Sequence, residues 1–279
     1  MIASLNNAFS LQNQRLLRLN QLAQQRSLER LATGRRINRA ADNPAGLIAS
    51  ESLSATLAAL EAEVVAVERQ RNVASTADAA LGEVSSLLTE AKRLTVANAD
   101  GTLSDAERQA NQTQIDSIVA SVDRISNTTQ FNGRKLLDGS ATLAVTSATQ
   151  TISAVSSTTV GAQTIDGEAV SLRDLSTGGD LCAASNRGED SAAVVDRAIK
   201  DVATLRGKVG AFEKNVLSSR VTSLSVATEN LSAARSIIRD TDYAAETARQ
   251  VRSSLLAQAG FSTLRSAFRM QRSFFALLA

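Results

Sequence analysis

Three places in the 279-residue chain carry side chains that could do chemistry. Arg35, Arg36 and Arg39 put three guanidiniums within five residues, with Asp42 close behind, in a connector that runs to Gly46. Such clusters bind phosphate, but they also pair with carboxylates, and no aromatic side chain interleaves this one for base stacking. Asp240, Asp242 and Glu246 form an acidic group that can be read as a cation or acid–base cluster. Their place at the start of a helical pattern favours capping and dipole complement instead, and no nucleophile–base pair accompanies them. Cys182 is the single cysteine, which excludes an intramolecular disulfide and a cysteine-rich metal site. There is no histidine, so the usual general base and the commonest metal ligand are both missing. Basic and acidic residues nearly balance, 30 against 28, which argues against bulk binding to nucleic acid. No enzyme activity, metal or cofactor is expected.

The elements that position these residues are long helices. Leu53, Leu60, Val67, Ala74, Leu81 and Leu88 recur every seven residues, and Leu57 and Val64 supply the second half of the seam. Past Val67 that second register passes to Arg71, Asp78 and Ser85, while Ala77, Val84 and Ala91 take over three residues after each seventh. An apolar stripe that slides in this way is what a 3.6-residue helix does under a seven-residue repeat. The pattern predicts one helix from Leu47 to Ala97, roughly 75 Å long at about 1.5 Å per residue. A rod of that length must lie along other long helices. Aromatics are 3% and tryptophan is absent, so the packing side chains are Leu, Val, Ile and Ala.

Residues 1–33 also read as a helix, with Leu5, Phe9, Leu16, Leu19 and Ala23 as its seam and amides dense between them. Those amides (Gln12, Asn13, Gln14, Asn20, Gln21, Gln24 and Gln25) suit either polar contacts with a partner or plain solvent. Thr33-Gly34 ends the helix, and Asp42 or Asn43 can cap the next one with Pro44 in its first turn. Asn98 to Thr102 is a turn signal. Leu103 to Ile125 is a second helix, Ser104 and Glu107 forming a capping box, able to fold back on the rod. Thr128 to Gly133 and Asp138-Gly139 read as loops. From Gly139 to Ile165 no residue is charged, and eleven of positions 140–159 are Ser or Thr. Thr149 to Val155 alternates as a strand does, and Gln163 to Val170 reads as a hairpin around Asp166-Gly167. Helix resumes at Ser191 and runs to about Arg239, with Leu217, Val221, Leu224, Leu231 and Ile238 on its stripe. A last helix, Tyr243 to Ala279, carries Leu255, Leu264, Phe268, Phe275 and Leu278, with Gly260 as a weak point. The tail Phe274-Phe275-Ala276-Leu277-Leu278 is apolar enough to require burial against another segment or chain.

The fold class that follows is mainly α: long antiparallel coiled-coil-like rods from both termini, with a small β-hairpin region at the far tip. Matching amphipathic ends describe a subunit built to stack through them. No basic cap and apolar run open the chain, so no secretory signal is expected, and no apolar window is long enough to span a membrane.

Several blocks, in order, resemble bacterial flagellin. Glu29-Arg30-Leu31-Ala32-Thr33-Gly34-Arg35-Arg36-Ile37-Asn38-Arg39-Ala40-Ala41-Asp42-Asn43-Pro44-Ala45-Gly46 resembles the family signature ERLSSGxRINSAxDDxAG. Gln130-Phe131-Asn132-Gly133 with Leu136-Leu137-Asp138-Gly139 resembles the end of its N-terminal block. Ser232 to Glu246 resembles SARSxIxDxDYAxE, and Gln258 to Leu264 resembles the block near the C-terminus. The resemblance implies a subunit that self-assembles into the helical flagellar filament used for motility. It implies an inner-tube domain made from 1–45 and 239–279, with Leu5, Phe9, Leu16, Leu19, Leu255, Leu264, Phe268, Phe275 and Leu278 as its packing residues. It also implies a rod domain made from 46–139 and 187–238. The rod contacts would be Leu53, Leu57, Leu60, Val64, Val67, Leu81, Leu88, Leu217, Val221, Leu224 and Leu231. The region 140–186 is a short variable segment, so the outer domains are missing and the filament should be smooth. Export unfolded through the flagellar type III apparatus moves the expected location from the cytoplasm to an extracellular filament. A flagellin chaperone, a filament cap and junction proteins are the implied partners, and no nucleic acid or membrane.

Three features depart from the family. Phe268, Arg269, Gln271 and Arg272 stand where an Asn-Gln-x-Pro-Gln run is usual. Ser4-Leu5-Asn6-Asn7 replaces the opening INTN. Glu90 and Arg93 exchange acid and base relative to QRxRELxV, the stretch read by an innate immune receptor, which implies weak recognition. A hook–filament junction protein shares the terminal architecture, and a cytosolic coiled-coil scaffold shares the composition. The DxDYAxE and QAG blocks favour flagellin over the first, and matching ends around β segments favour it over the second.

Overall fold

The computed structural model describes residues 2–99, 102–145, 148–165, 167–182 and 187–278, with side chains described between 11 and 269. The side chains of Leu5, Phe9, Phe274, Phe275, Leu277 and Leu278 therefore lie outside the described residues, as do Asp100, Gly101 and Asp166. The helices are α1 (Ile2–Thr33), α2 (Pro44–Asn98), α3 (Asp105–Thr128), α4 (Gly188–Phe212), α5 (Ser218–Arg239) and α6 (Tyr243–Leu278). The strands are β1 (Gln130–Phe131), β2 (Arg134–Lys135), β3 (Thr142–Val145), β4 (Ala148–Thr151), β5 (Gln163–Ile165) and β6 (Glu168–Val170). They make three separate antiparallel pairs: β1 with β2, β3 with β4, and β5 with β6. The protein is mainly α. It divides into two compact units, one of Met1–Leu60 with Ala227–Ala279 and one of Glu61–Val226.

Local chemistry sets the helix limits. Gly34 follows α1 with φ +68°, the left-handed geometry that glycine adopts without a Cβ penalty. Asn43, not Asp42, caps α2: its Oδ1 accepts from the Gly46 amide at 2.9 Å. Ser104 and Glu107 close the capping box of α3, the Ser104 amide donating to Glu107 Oε2 at 2.8 Å. The helix predicted from Ser191 begins three residues earlier and is not continuous to Arg239. A π-turn over Glu213–Leu217 separates α4 from α5. The buried residues step from Leu205 to Val209 to Phe212 and then by five to Leu217, so the added residue keeps Leu217 on the packed side.

In the unit of residues 61–226 the core is apolar. Val67, Ala74, Leu81, Val84, Leu88 and Leu94 of α2 are buried, as are Ile115, Val119 and Val122 of α3 and Val194, Ala198, Val202 and Val209 of α4. The β region belongs to this core rather than to a tip of its own. Leu143 and Val145 alternate into it, and Ile152, Val155, Leu172 and Leu175 follow. Asp116 and Asp123, one heptad apart on α3, hold the segment down. Asp123 accepts from the Ser157 amide and hydroxyl at 2.7 and 2.8 Å, and Asp116 from the Thr177 amide at 2.8 Å. The strand predicted over Thr149–Val155 stops at Thr151: Ile152 adds one more rung in register to Ala141, and Val155 then gives its amide to Leu137, outside that register. The expected loop at Thr128–Gly133 is in part a hairpin: β1 and β2 pair across Asn132-Gly133, both at positive φ (51° and 79°).

Candidate functional site

In the unit formed by the two chain ends, α1 and α6 approach more closely along their length than the helices of the other unit approach one another. The seam that permits this is small and polar. Between residues 11 and 28 of α1 the positions that are not exposed are Asn13, Leu17, Asn20, Gln24 and Ser27, at steps of four and three. On α6 the matching run is Glu246, Gln250, Ser253, Ala257, Gly260 and Leu264. Gly260 lies against Leu17, where an added Cβ would sit 3.1 Å from Leu17 Cδ1. It is a point of close helix approach, not the weak point that propensity alone predicts. Ser27 Oγ donates to the Glu246 carbonyl at 3.3 Å. Glu246, 3% exposed, accepts from Arg249 at 3.0 Å and lies 3.8 Å from Arg30.

Leu17, Ala257 and Leu264 lie in that seam, but most of the large apolar residues of the same two helices point away from it. Leu16, Leu19, Leu255 and Phe268 are 52%, 55%, 59% and 52% exposed, and Leu11, Leu22, Val251 and Phe261 are exposed with them. Of the predicted inner-tube residues whose side chains are described, only Leu264 is buried. The Leu16–Leu19–Ala23 face is thus not the one by which α1 meets α6. Three of the amides, Asn13, Asn20 and Gln24, lie on the α6 side, whereas Gln12, Gln14, Gln21 and Gln25 face solvent.

The connector joins the two ends by backbone. Arg35 and Asp240 form an antiparallel bridge, the Arg36 amide donates to the Arg239 carbonyl at 2.7 Å, and the Thr241 amide to the Gly34 carbonyl at 2.9 Å. Arg36 Nη2 donates to the Ile238 carbonyl at 2.6 Å, satisfying the C-terminus of α5. Arg39 pairs with Glu29 at 3.0 Å, and Arg239 with Glu51 at 3.0 Å. Asp42 accepts from the Asn38 and Arg39 amides at 3.1 and 3.0 Å. Those two amide bonds hold its carboxyl below the usual aspartate range, the Arg39 bond being the larger cause. Asp242 caps α6 by accepting from the Ala244 and Ala245 amides at 2.9 and 3.1 Å. Arg36, Arg39, Asp42, Asp242 and Glu246 thus use their side chains in structure, and Arg35 and Asp240 contribute their backbone.

Of the predicted rod contacts, Leu57, Val67, Leu81, Leu88, Leu217 and Leu224 are buried, and Leu53, Leu60, Val64, Val221 and Leu231 are half-buried. Sequence reasoning missed what the charged members of the heptad do. Asp78 pairs with Arg206 at 2.9 Å, Arg71 with Glu213 at 3.4 Å and Glu63 with Arg220 at 2.9 Å, and Lys92 bonds Asp196. Partner numbers fall as the α2 number rises, so the segments run antiparallel. The signal was present: acid and base in mirrored order along two predicted rods. Cys182 is half-buried, and Glu90 and Arg93 pair with each other on an exposed turn of α2.

Long helices from both ends, a mostly small and polar internal seam and ion-paired rods define a helical structural protein. Comparison with known proteins gives the family. The chain matches the bacterial flagellin N-terminal helical region over residues 5–142 and the bacterial flagellin C-terminal helical region over residues 192–278. It is 32% identical to the flagellin of Bacillus subtilis (strain 168) across 98% of each chain, and 30% identical to flagellin FlaB2 of Treponema pallidum (strain Nichols), again across 98% of each. Among solved structures it is similar to the flagellin of Bacillus cereus, with a TM-score of 0.44 and 22% identity over 60% of this chain and 93% of that one. The chain belongs to the bacterial flagellin family and is a structural subunit of the flagellar filament, not an enzyme.

Proposed function

We propose that this subunit polymerises through the outward apolar faces of its terminal helix pair, and that the observation carrying this reading is the inverted polarity of that pair. Leu16, Leu19, Leu255 and Phe268 are exposed in one chain, while amides, serines and glycine make up most of the seam beside Leu17 and Leu264. In water such a pair is poorly stabilised, since folding it buries little apolar surface against a large ordering entropy. Docking on neighbouring copies supplies the missing burial, so the ends fold as they join the filament. The inner-tube domain then comprises 1–45 and 239–279 and the rod domain 46–139 and 187–238, with 140–186 as the short variable region. Before assembly the chain leaves the cytoplasm unfolded through the flagellar export apparatus. A flagellin chaperone covers the Phe-rich tail until then, and the filament cap and junction proteins bound the polymer.

Negative-stain electron microscopy tests this on purified full-length protein before and after salt-induced assembly, beside a chain truncated at Asp240. Open-ended filaments from the full chain and none from the truncation are expected. Discrete particles from both would sink the polymer reading in favour of a junction protein or a finite scaffold.

A further inference from the structure

The two units differ in charge as well as polarity. The terminal unit, 1–60 with 227–279, holds fourteen basic residues against seven acidic ones, and all fourteen are arginine. The other unit holds sixteen basic residues against twenty-one acidic ones and all five lysines. Four of the terminal arginines, Arg26 and Arg30 on α1 with Arg249 and Arg252 on α6, line one groove of about 360 Å³ along the seam. Its only carboxylate is Glu246, which is nearly inaccessible and already taken by Arg30 and Arg249. Arg26 and Arg252 have no carboxylate within ion-pair distance among the described residues, and the groove carries three uncompensated positive charges. Ser27 and Ser253 add hydroxyls to its wall. Guanidiniums are the side chains suited to bidentate oxyanion recognition, and a cationic groove concentrates anions.

We infer that this groove binds a small multivalent oxyanion of the phosphate or sulfate kind, held by Arg26 and Arg252 and bridging α1 to α6. The anion removes the repulsion between the two helices along that groove. Because only the folded pair presents the four arginines together, binding is linked to folding and favours the assembly-competent form. The inference rests on the terminal pair being the assembly element, but it is tested without filaments.

The test is thermal melting of the soluble full chain by far-ultraviolet circular dichroism, in sodium phosphate or in sodium chloride at matched ionic strength. Three chains are compared: the wild type, Arg26→Gln with Arg252→Gln, and Arg15→Gln with Arg18→Gln, which removes the same charge from α1 outside the groove. Phosphate is expected to give a saturable gain in helicity or melting temperature in the wild type and the Arg15/Arg18 variant, and none in the Arg26/Arg252 variant. No gain in the wild type overturns the inference. So does an equal gain in the groove variant, which marks a general salting effect, or a loss in both variants, which marks net charge alone. Filaments without the phosphate gain sink only this inference; the gain without filaments sinks only the polymer reading.

Discussion

The terminal helix pair and the bundle of residues 61–226 solve helix packing in opposite ways. In the bundle, Leu, Val, Ile and Ala face inward, and ion pairs such as Asp78–Arg206 run along the half-exposed margin. In the terminal pair Asn20, Gln24, Ser27, Ser253 and Gly260 face the partner helix beside Leu17 and Leu264, while Leu16, Leu19, Leu255, Phe261 and Phe268 face out. The bundle is stable as one chain because its apolar area is already removed from water. On the proposed reading the terminal pair keeps its apolar area for other copies, and the difference would then separate a folded body from an assembly element. The margin ion pairs each contribute at most about 1 kcal/mol, so they select register and direction more than they stabilise.

The sharpest way to break the comparison is to make one substitution on both sides of it. Leu88→Ala in the bundle core should cost about 2–5 kcal/mol in denaturant unfolding, whereas Leu255→Ala should stay within about 0.5 kcal/mol and instead reduce the sedimentable polymer. Equal losses of stability would mean that the exposed leucines are packed within the single chain. A smaller effect comes from the seam. Gly260→Leu forces α1 and α6 apart at Leu17, costing about 1–3 kcal/mol by overpacking. Filament yield in a pelleting assay should fall while the bundle unfolds as before; normal yield would show that close approach is not required. The smallest effect is that of pH on the connector. Asp42 has a lowered folded-state pKa because two amides donate to it, so its contribution is present above the ordinary aspartate value of about 3.9 and is lost as pH falls through the folded value. The Asn38 and Arg39 amide resonances should titrate together with a midpoint below about 3.9, and Asp42→Asn should abolish that titration. A midpoint at or above the ordinary value would remove the two amide bonds from the argument.

Much of the fold was legible because local rules act on neighbouring residues. The seven-residue repeat from Leu53 to Leu88, the Ser104/Glu107 box and the Gly34 stop each depend on side chains within a turn or two. The π-turn at Glu213–Leu217 was not legible, since either a π-turn or an unbroken helix fits the same residues until Leu217 must meet a fixed core. The Asn132-Gly133 hairpin was hidden by strands of two residues, too short for alternation to register. The roles of Asp116 and Asp123 were not legible, because their partners, Thr177 and Ser157, are 61 and 34 residues away.

The sequence by itself determined that the ends are long amphipathic helices, that no histidine chemistry, intramolecular disulfide or cysteine-rich metal site is available, and that the chain has the blocks of a flagellin. It did not determine which face of α1 is inner. Leu16 and Leu19 mark an apolar face and Asn20, Gln24 and Ser27 a polar one, and burial normally goes to the first. Only the tertiary structure shows the polar face against α6, because close approach at Gly260, Ala257 and Ser253 needs small side chains. The physical reason is that amphipathicity fixes that a face must be covered, while the shape of the opposing surface fixes what covers it.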